Sequence, residues 1–200
     1  MAKDMESFQS QEEKRRKRVK LAAYIAAFAV FQVIVILVFA LVVMRVKTPK
    51  FRLGDGIAIH GLETVSGSGQ SSPASFDMNF TAPVRIKNAN FGRYKYDAAT
   101  LNFTYGGVEV GQAIVPKGKA NMKSTKKVDV AVYVSSSAIA GNSSILGNEL
   151  SSGSLTLSSG GKLNGKVELM LVFKKKKSTD MNCTISINVA SKAVQSVTCD

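Results

Sequence analysis

Residues 76–86 read FDMNFTAPVRI, with Phe76, Met78, Phe80, Ala82, Val84 and Ile86 at every second position and Asp77, Asn79, Thr81, Pro83 and Arg85 between them. A period of two sends the first set to one face of a strand and the second to the other, so one face is apolar and buried. The same period recurs on both sides. Leu101, Phe103 and Tyr105 alternate with Asn102 and Thr104 before Gly106-Gly107, and Val108, Glu109 and Val110 resume the pattern, as a hairpin with a two-residue turn does. Val128 to Val134, Val167 to Phe173 and Cys183 to Val189 repeat it, Phe51 to Ile59 supplies a candidate first strand, and the last seven residues supply a final one. Seven or eight strands at this spacing imply a mainly β domain, an antiparallel β-sandwich of immunoglobulin- or fibronectin-like architecture. Two stretches break the alternation. Residues 64–75 are small and polar, a loop, whereas residues 135–153 carry Ile139, Ile145, Leu146 and Leu150 among serines, the pattern of one short helix over the end of the sandwich.

Ahead of the strands lies LAAYIAAFAVFQVIVILVFALVVM, residues 21–44, without a charge and with Gln32 as its one strongly polar side chain. As a helix it extends about 36 Å, enough to cross a hydrocarbon core of about 30 Å. A core helix usually keeps a polar stripe, and a cleaved signal peptide has a shorter apolar part with a small-residue cleavage site, so a single transmembrane helix fits better than either. Lys14, Arg15, Arg16, Lys17, Arg18 and Lys20 precede it, and Arg45, Lys47, Lys50 and Arg52 follow. This basic bias makes 1–20 a cytosolic tail, 21–44 a signal anchor and 45–200 a lumenal or extracellular domain, in a single-pass protein of the plasma membrane or an endomembrane. Ala22, Ala26, Ala29 and Gln32 share one helical face, a candidate for weak homo-oligomer formation.

Charge divides at the same boundary. Residues 1–53 hold eleven Lys or Arg and four acids, and residues 54–200 hold sixteen and ten, so about half of the net +13 lies beside the span. That placement points to membrane electrostatics and away from nucleic acid.

Sequons occur at Asn79, Asn102, Asn142 and Asn182. Three of these asparagines flank the inward-phased Phe80, Phe103 and Cys183, so they point outward, where an N-glycan leaves the core undisturbed. The cysteines are Cys183 and Cys199. With Ala190-Ser191-Lys192 as a three-residue loop, facing residue numbers sum to 382, which sets Cys183 against Cys199 and Ile185 against Val197. The expectation is a cross-strand disulfide in an oxidising compartment.

Chemistry beyond binding has little to work with. His60 is the single histidine, so a His-rich metal site is excluded and any Ser-His-Asp triad depends on that one residue. No glycine-rich phosphate loop is present, and catalytic residues, metal ligands and cofactors are all expected to be absent. Lys174 to Lys177 form a local positive field at a strand end, either solvated or facing acidic wall polysaccharide or anionic head groups.

The order of basic tail, span, Asn88-Ala89-Asn90, Tyr96-Asp97 and Leu101-Asn102-Phe103-Thr104-Tyr105-Gly106-Gly107-Val108-Glu109-Val110-Gly111 resembles the plant late embryogenesis abundant group 2 proteins. These are also known as harpin-induced-like or hydroxyproline-rich-glycoprotein-like proteins and carry the water-stress and hypersensitive-response domain. Gly165-Lys166-Val167, the lysine run and the closing cysteine pair fit the second half of the pattern. The chain has Ala89 where the family commonly has proline, which leaves that turn less rigidly fixed. The resemblance implies a non-enzymatic, membrane-anchored β-sandwich associated with stress or defence, an adaptor toward other membrane proteins or cell-wall polysaccharide. Lipid handling is the alternative, and it calls for an apolar cavity of about 300 Å³ or more between the sheets.

Overall fold

The computed structural model describes residues 2–43, 45–66, 73–139, 143–169 and 173–200. They form two compact units, Met1–Arg45 and Val46–Asp200. The first is a single helix, α1, Ala2–Val43. Its stretch Arg15–Leu41 is long and apolar enough to cross a membrane by length and composition, and none of its core window is buried. Ile25, Val30, Phe31 and Val33, which fall on different sides of the helix, are each more than 55% exposed, so the apolar surface runs around the helix instead of along one stripe.

Among the described residues the second unit contains eleven strands, more than seven or eight, in two antiparallel sheets. In the first sheet β3 (Ser75–Lys87) is central, with β8 (Thr125–Ser135) along one edge and β1 (Lys50–Leu53) and β2 (Ala58–Val65) in line along the other. The segment expected as one strand over 51–59 is thus two. The break has a local cause: Pro83 offers β3's neighbour no N–H, and the chain opposite leaves the ladder between Leu53 and Ala58 after Gly54 N donates to the Pro83 carbonyl at 2.6 Å.

The second sheet runs β11 (Ala193–Cys199), β10 (Phe173–Asn188), β9 (Ser154–Leu169), then β4 (Arg93–Tyr96) and β5 (Ala99–Tyr105) in line along β9, flanked by β7 (Gly118–Ala120) and β6 (Val108–Val115). Gly106 and Gly107, at φ 55° and 84°, close the β5–β6 hairpin with both turn residues in the left-handed region that glycine enters without cost. The sheets face each other in sandwich-like fashion. Phe76, Met78, Phe80, Ala82, Val84 and Ile86 are at most 2% exposed, and Phe80 meets Phe103 of the opposite sheet edge-to-face at 5.4 Å between centroids. A short helix, α2 (Ser143–Ser151), buries Leu146 and Leu150 against one end, on β9, β2 and β3.

Cys183 and Cys199 face each other across β10 and β11 and are joined, with Cα atoms 4.1 Å apart. The register arises by a different route from a three-residue loop. Asn188 pairs with Ala193 and Ile187 with Val194, which leaves a four-residue turn, and a bulge at Gln195 restores the sum of 382 from Ser186–Ser196 onward. Loop-closure entropy for a bridge spanning 16 residues is worth about 3 kcal/mol. Cys183→Ser/Cys199→Ser is expected to lower unfolding free energy by about that amount in denaturant titration, with β11 the first segment to lose hydrogen-exchange protection.

Candidate functional site

Register brings together residues that are far apart in sequence. Lys119 of β7 faces Lys95 of β4, Lys95 faces Lys166 of β9, and Lys166 faces Lys176 of β10. Directly paired residues project to the same face, so four exposed lysines make one row across four strands, roughly 14 Å at a strand spacing of about 4.8 Å. The neighbouring row is Arg93, Glu168 and Lys174. The two rows hold six cations, three of which, Lys95, Lys174 and Arg93, act on the Glu168 carboxylate. Lys95 Nζ donates to Glu168 Oε2 at 2.9 Å, and Glu168 is 14% exposed.

The lysine run at 174–177 opens β10 at a strand end, as expected, with Lys174, Lys175 and Lys176 exposed. It lies within β10, paired with 165–168 of β9, so the strand sends Lys174 and Lys176 to the outer face and Lys175 and Lys177 to the other phase. Of the single strand expected from Val167 to Phe173, Val167 and Leu169 lie on β9, Leu171 lies outside the described residues, and Phe173 opens β10, paired back onto Leu169. The other members of the row, Lys95, Lys119 and Lys166, carry no local signal in sequence; they join the site only through strand pairing.

Beneath the row, buried Tyr94 donates its hydroxyl to the Lys177 carbonyl at 3.1 Å and so braces β4 to β10 across β9. Burial, with smaller contributions from Asp97 and Tyr96, pushes its phenol up to about 12, so it stays a donor well into alkaline pH. Glu168 moves the other way. The hydrogen bond from Lys95 holds its carboxyl below the usual range, opposed by desolvation and assisted by the charges of Lys95, Lys174 and Arg93. A carboxylate with a depressed folded pKa adds stability above its unfolded pKa, which is lost as pH falls through the folded value. Glu168→Gln is accordingly expected to flatten the acid limb of a melting-temperature profile measured between about pH 3 and 6.

The remaining candidates are dispersed. Asn79, Asn102 and Asn182 are exposed, on β3, β5 and β10. Asn102 and Asn182 flank Gly160 of β9 from either side, whereas Asn142 lies outside the described residues. His60 is exposed on β2, its Nε2 2.8 Å from Thr81 Oγ1. Among the described residues no group of three His, Cys, Asp or Glu side chains is placed to hold a metal ion.

Residues 83–185, from the middle of β3 to β10, match the profile of the family described as "Late embryogenesis abundant protein". A late embryogenesis abundant protein of Arabidopsis thaliana is 25% identical over 134 residues, which cover 66% of this chain; the chain spans 62% of that relative's length. Among solved structures, a putative late embryogenesis abundant protein aligns over 75% of this chain and 77% of its own at 13% identity and a TM-score of 0.38. A protein from Archaeoglobus fulgidus aligns over 64% and 95% at 8% identity and a TM-score of 0.33. With the matched segment covering just over half of its length, the chain belongs to the late embryogenesis abundant family, in the group designated LEA_2.

Proposed function

We propose that this protein is a membrane-anchored, non-enzymatic late embryogenesis abundant protein of the harpin-induced-like kind, a stress or defence adaptor that binds an acidic polymer through its lysine row. The row carries the reading. Like charges placed opposite one another on adjacent strands cost stability. Lysines at an open sheet edge deter edge-to-edge pairing, but β4 and β9 are interior strands, and Lys95 and Lys166 have no such duty. An extended acidic polysaccharide with one carboxylate per sugar presents a regular anionic repeat to a regular row of cations.

Anchoring rests on α1, which is apolar on all sides over residues 21–41 and has none of its candidate span buried, a surface that water does not favour and a bilayer does. Its basic flank keeps 1–20 cytosolic and sends 45–200 to the lumen or cell exterior. The Cys183–Cys199 bridge suits that oxidising side, and Asn79, Asn102, Asn142 and Asn182 become N-glycan acceptors there. The face of Ala22, Ala26, Ala29 and Gln32 offers a weak self-association seam within the bilayer. Lipid handling between the sheets has less to recommend it: Phe76, Phe80, Phe103, Leu155, Leu157 and Met181 occupy the facing positions, each at most 2% exposed.

The test is retention of the full-length protein on immobilised polygalacturonate under a salt gradient. Lys95→Gln/Lys166→Gln is expected to elute at markedly lower salt than wild type, and Glu168→Gln at higher salt. Unchanged elution of the double lysine variant overturns the polymer-binding role.

A further inference from the structure

The 46–200 unit has two unlike ends. At one, residues 47–50, 88–93 and 120–124 converge with residues 168, 169 and 173. Asn90 accepts from Lys47 N at 2.6 Å and donates to the Lys47 carbonyl at 2.8 Å, Lys123 N donates to the Asn90 carbonyl at 3.1 Å, and Arg93 pairs with Glu168. Phe91, Met122 and Phe173 stand at this end 43%, 55% and 56% exposed, with Lys123 Nζ 4.0 Å from the Phe91 ring centre. Cations ring the apolar tip on both sheets. On the first sheet Lys50 faces Lys87, and Arg52, Arg85 and Lys127 form a row; on the second sheet Arg93 and Lys174 flank Glu168. The opposite end, beside α2 and the β5–β6 turn, carries Glu63, Asp77, Glu109 and Glu149.

An apolar tip with a basic collar is the composition of a surface that rests in a lipid headgroup layer, aromatic groups at the acyl boundary and ammonium groups at the phosphates. Connectivity selects the same end, because in the sequence only Met44, Arg45 and Val46 separate the last residue of α1 from Lys47. We propose that the Lys47 end docks on the bilayer that the chain's own span occupies, with Phe91, Met122 and Phe173 inserted to the glycerol level and the collar on lipid phosphates. This inference rests on the anchoring reading above. It also orients the domain: the row of Lys119, Lys95, Lys166 and Lys176 lies one strand repeat farther from the tip than Arg93 and Lys174, about 7 Å, and is displayed just above the lipid surface.

The test uses the full chain reconstituted in vesicles of zwitterionic phospholipid, with and without a fraction of anionic lipid. Met122→Cys and, at the far end, Glu109→Cys are each labelled with an environment-sensitive fluorophore. Brominated lipid is expected to quench the label at position 122 at least about twofold more than the label at 109, with blue-shifted emission at 122 alone. Phe91→Ser/Phe173→Ser is expected to abolish the difference while the protein stays resistant to alkaline carbonate extraction. Equal quenching at both positions in protein that resists extraction overturns docking and leaves anchoring in place. Extraction of the wild-type chain by carbonate overturns both.

Discussion

Asn88→Ala is expected to lower unfolding free energy by about 4 kcal/mol, because one buried amide ties residues 90–92 to residues 120–121. Asn88 is 1% exposed, and its Nδ2 donates to the carbonyls of Gly92, Ala120 and Asn121 at 2.7, 3.2 and 2.9 Å. Its Oδ1 accepts from Asn90 N at 3.1 Å and from Asn90 Nδ2 at 3.0 Å, and Asn90 in turn holds Lys47. Truncation strips partners from buried carbonyls, each costing about 1–3 kcal/mol unless water enters. Asn88→Asp discriminates this account from simple loss of packing. Its carboxylate faces carbonyl oxygens, so its folded pKa is raised, and the variant is expected to gain stability as pH falls. Equilibrium denaturation at pH 7 and pH 4 reads both effects. A loss under about 1 kcal/mol for Asn88→Ala, or a pH-insensitive Asn88→Asp, contradicts the network's role.

That network also shows where sequence patterning stops. The lack of proline in Asn88-Ala89-Asn90 suggests a loosely fixed turn, yet the two side-chain amides tie the turn to residues 33 and 43 positions away. Amide partners of that kind are set by tertiary packing and leave no periodic trace. Alternation succeeded where one face meets the core without interruption, as over Phe76 to Ile86. It failed over the first half of β9, where Leu155, Leu157 and Leu163 are inward but Ser159 and Gly161 hold the positions between them. Those small residues face bulky neighbours: a Cβ on Gly161 falls 2.6 Å from the Leu101 side chain, and Ser159 Oγ lies 3.5 Å from the Cys183 carbonyl. Period-two reading penalises small residues that packing requires. The cysteine register was legible for a subtler reason, since an extra turn residue and a bulge cancel. The lysine row was not legible, because its members lie on four strands whose pairing order the alternation does not specify.

Gly92→Ala is expected to cost about 4 kcal/mol and to weaken polyanion retention together with stability. A Cβ at Gly92 falls 2.1 Å from the Glu168 carbonyl oxygen and 2.7 Å from its carbonyl carbon, so the obstacle is backbone of the neighbouring strand and no rotamer change relieves it. Either β4 or β9 must move by about 1 Å to reach an ordinary carbon–oxygen contact. That movement strikes the pairing of Arg93 with Glu168 and, one and two register steps on, of Tyr94 with Val167 and Lys95 with Lys166. The Gly92 carbonyl is also an acceptor for Asn88, which couples the damage to the buried amide network. Gly61→Ala is the control. Nothing lies within 4 Å of a Cβ there, so the expected change is within about 1 kcal/mol in either direction. If Gly92→Ala were as mild as Gly61→Ala, β4 would pair with β9 less closely than the register requires, and the alignment of Lys95 with Lys166 would lose its foundation. A stability loss with unchanged retention would instead separate the row's charge from its geometry, since cations on a loosened β4 would then serve the polymer as well as cations in register.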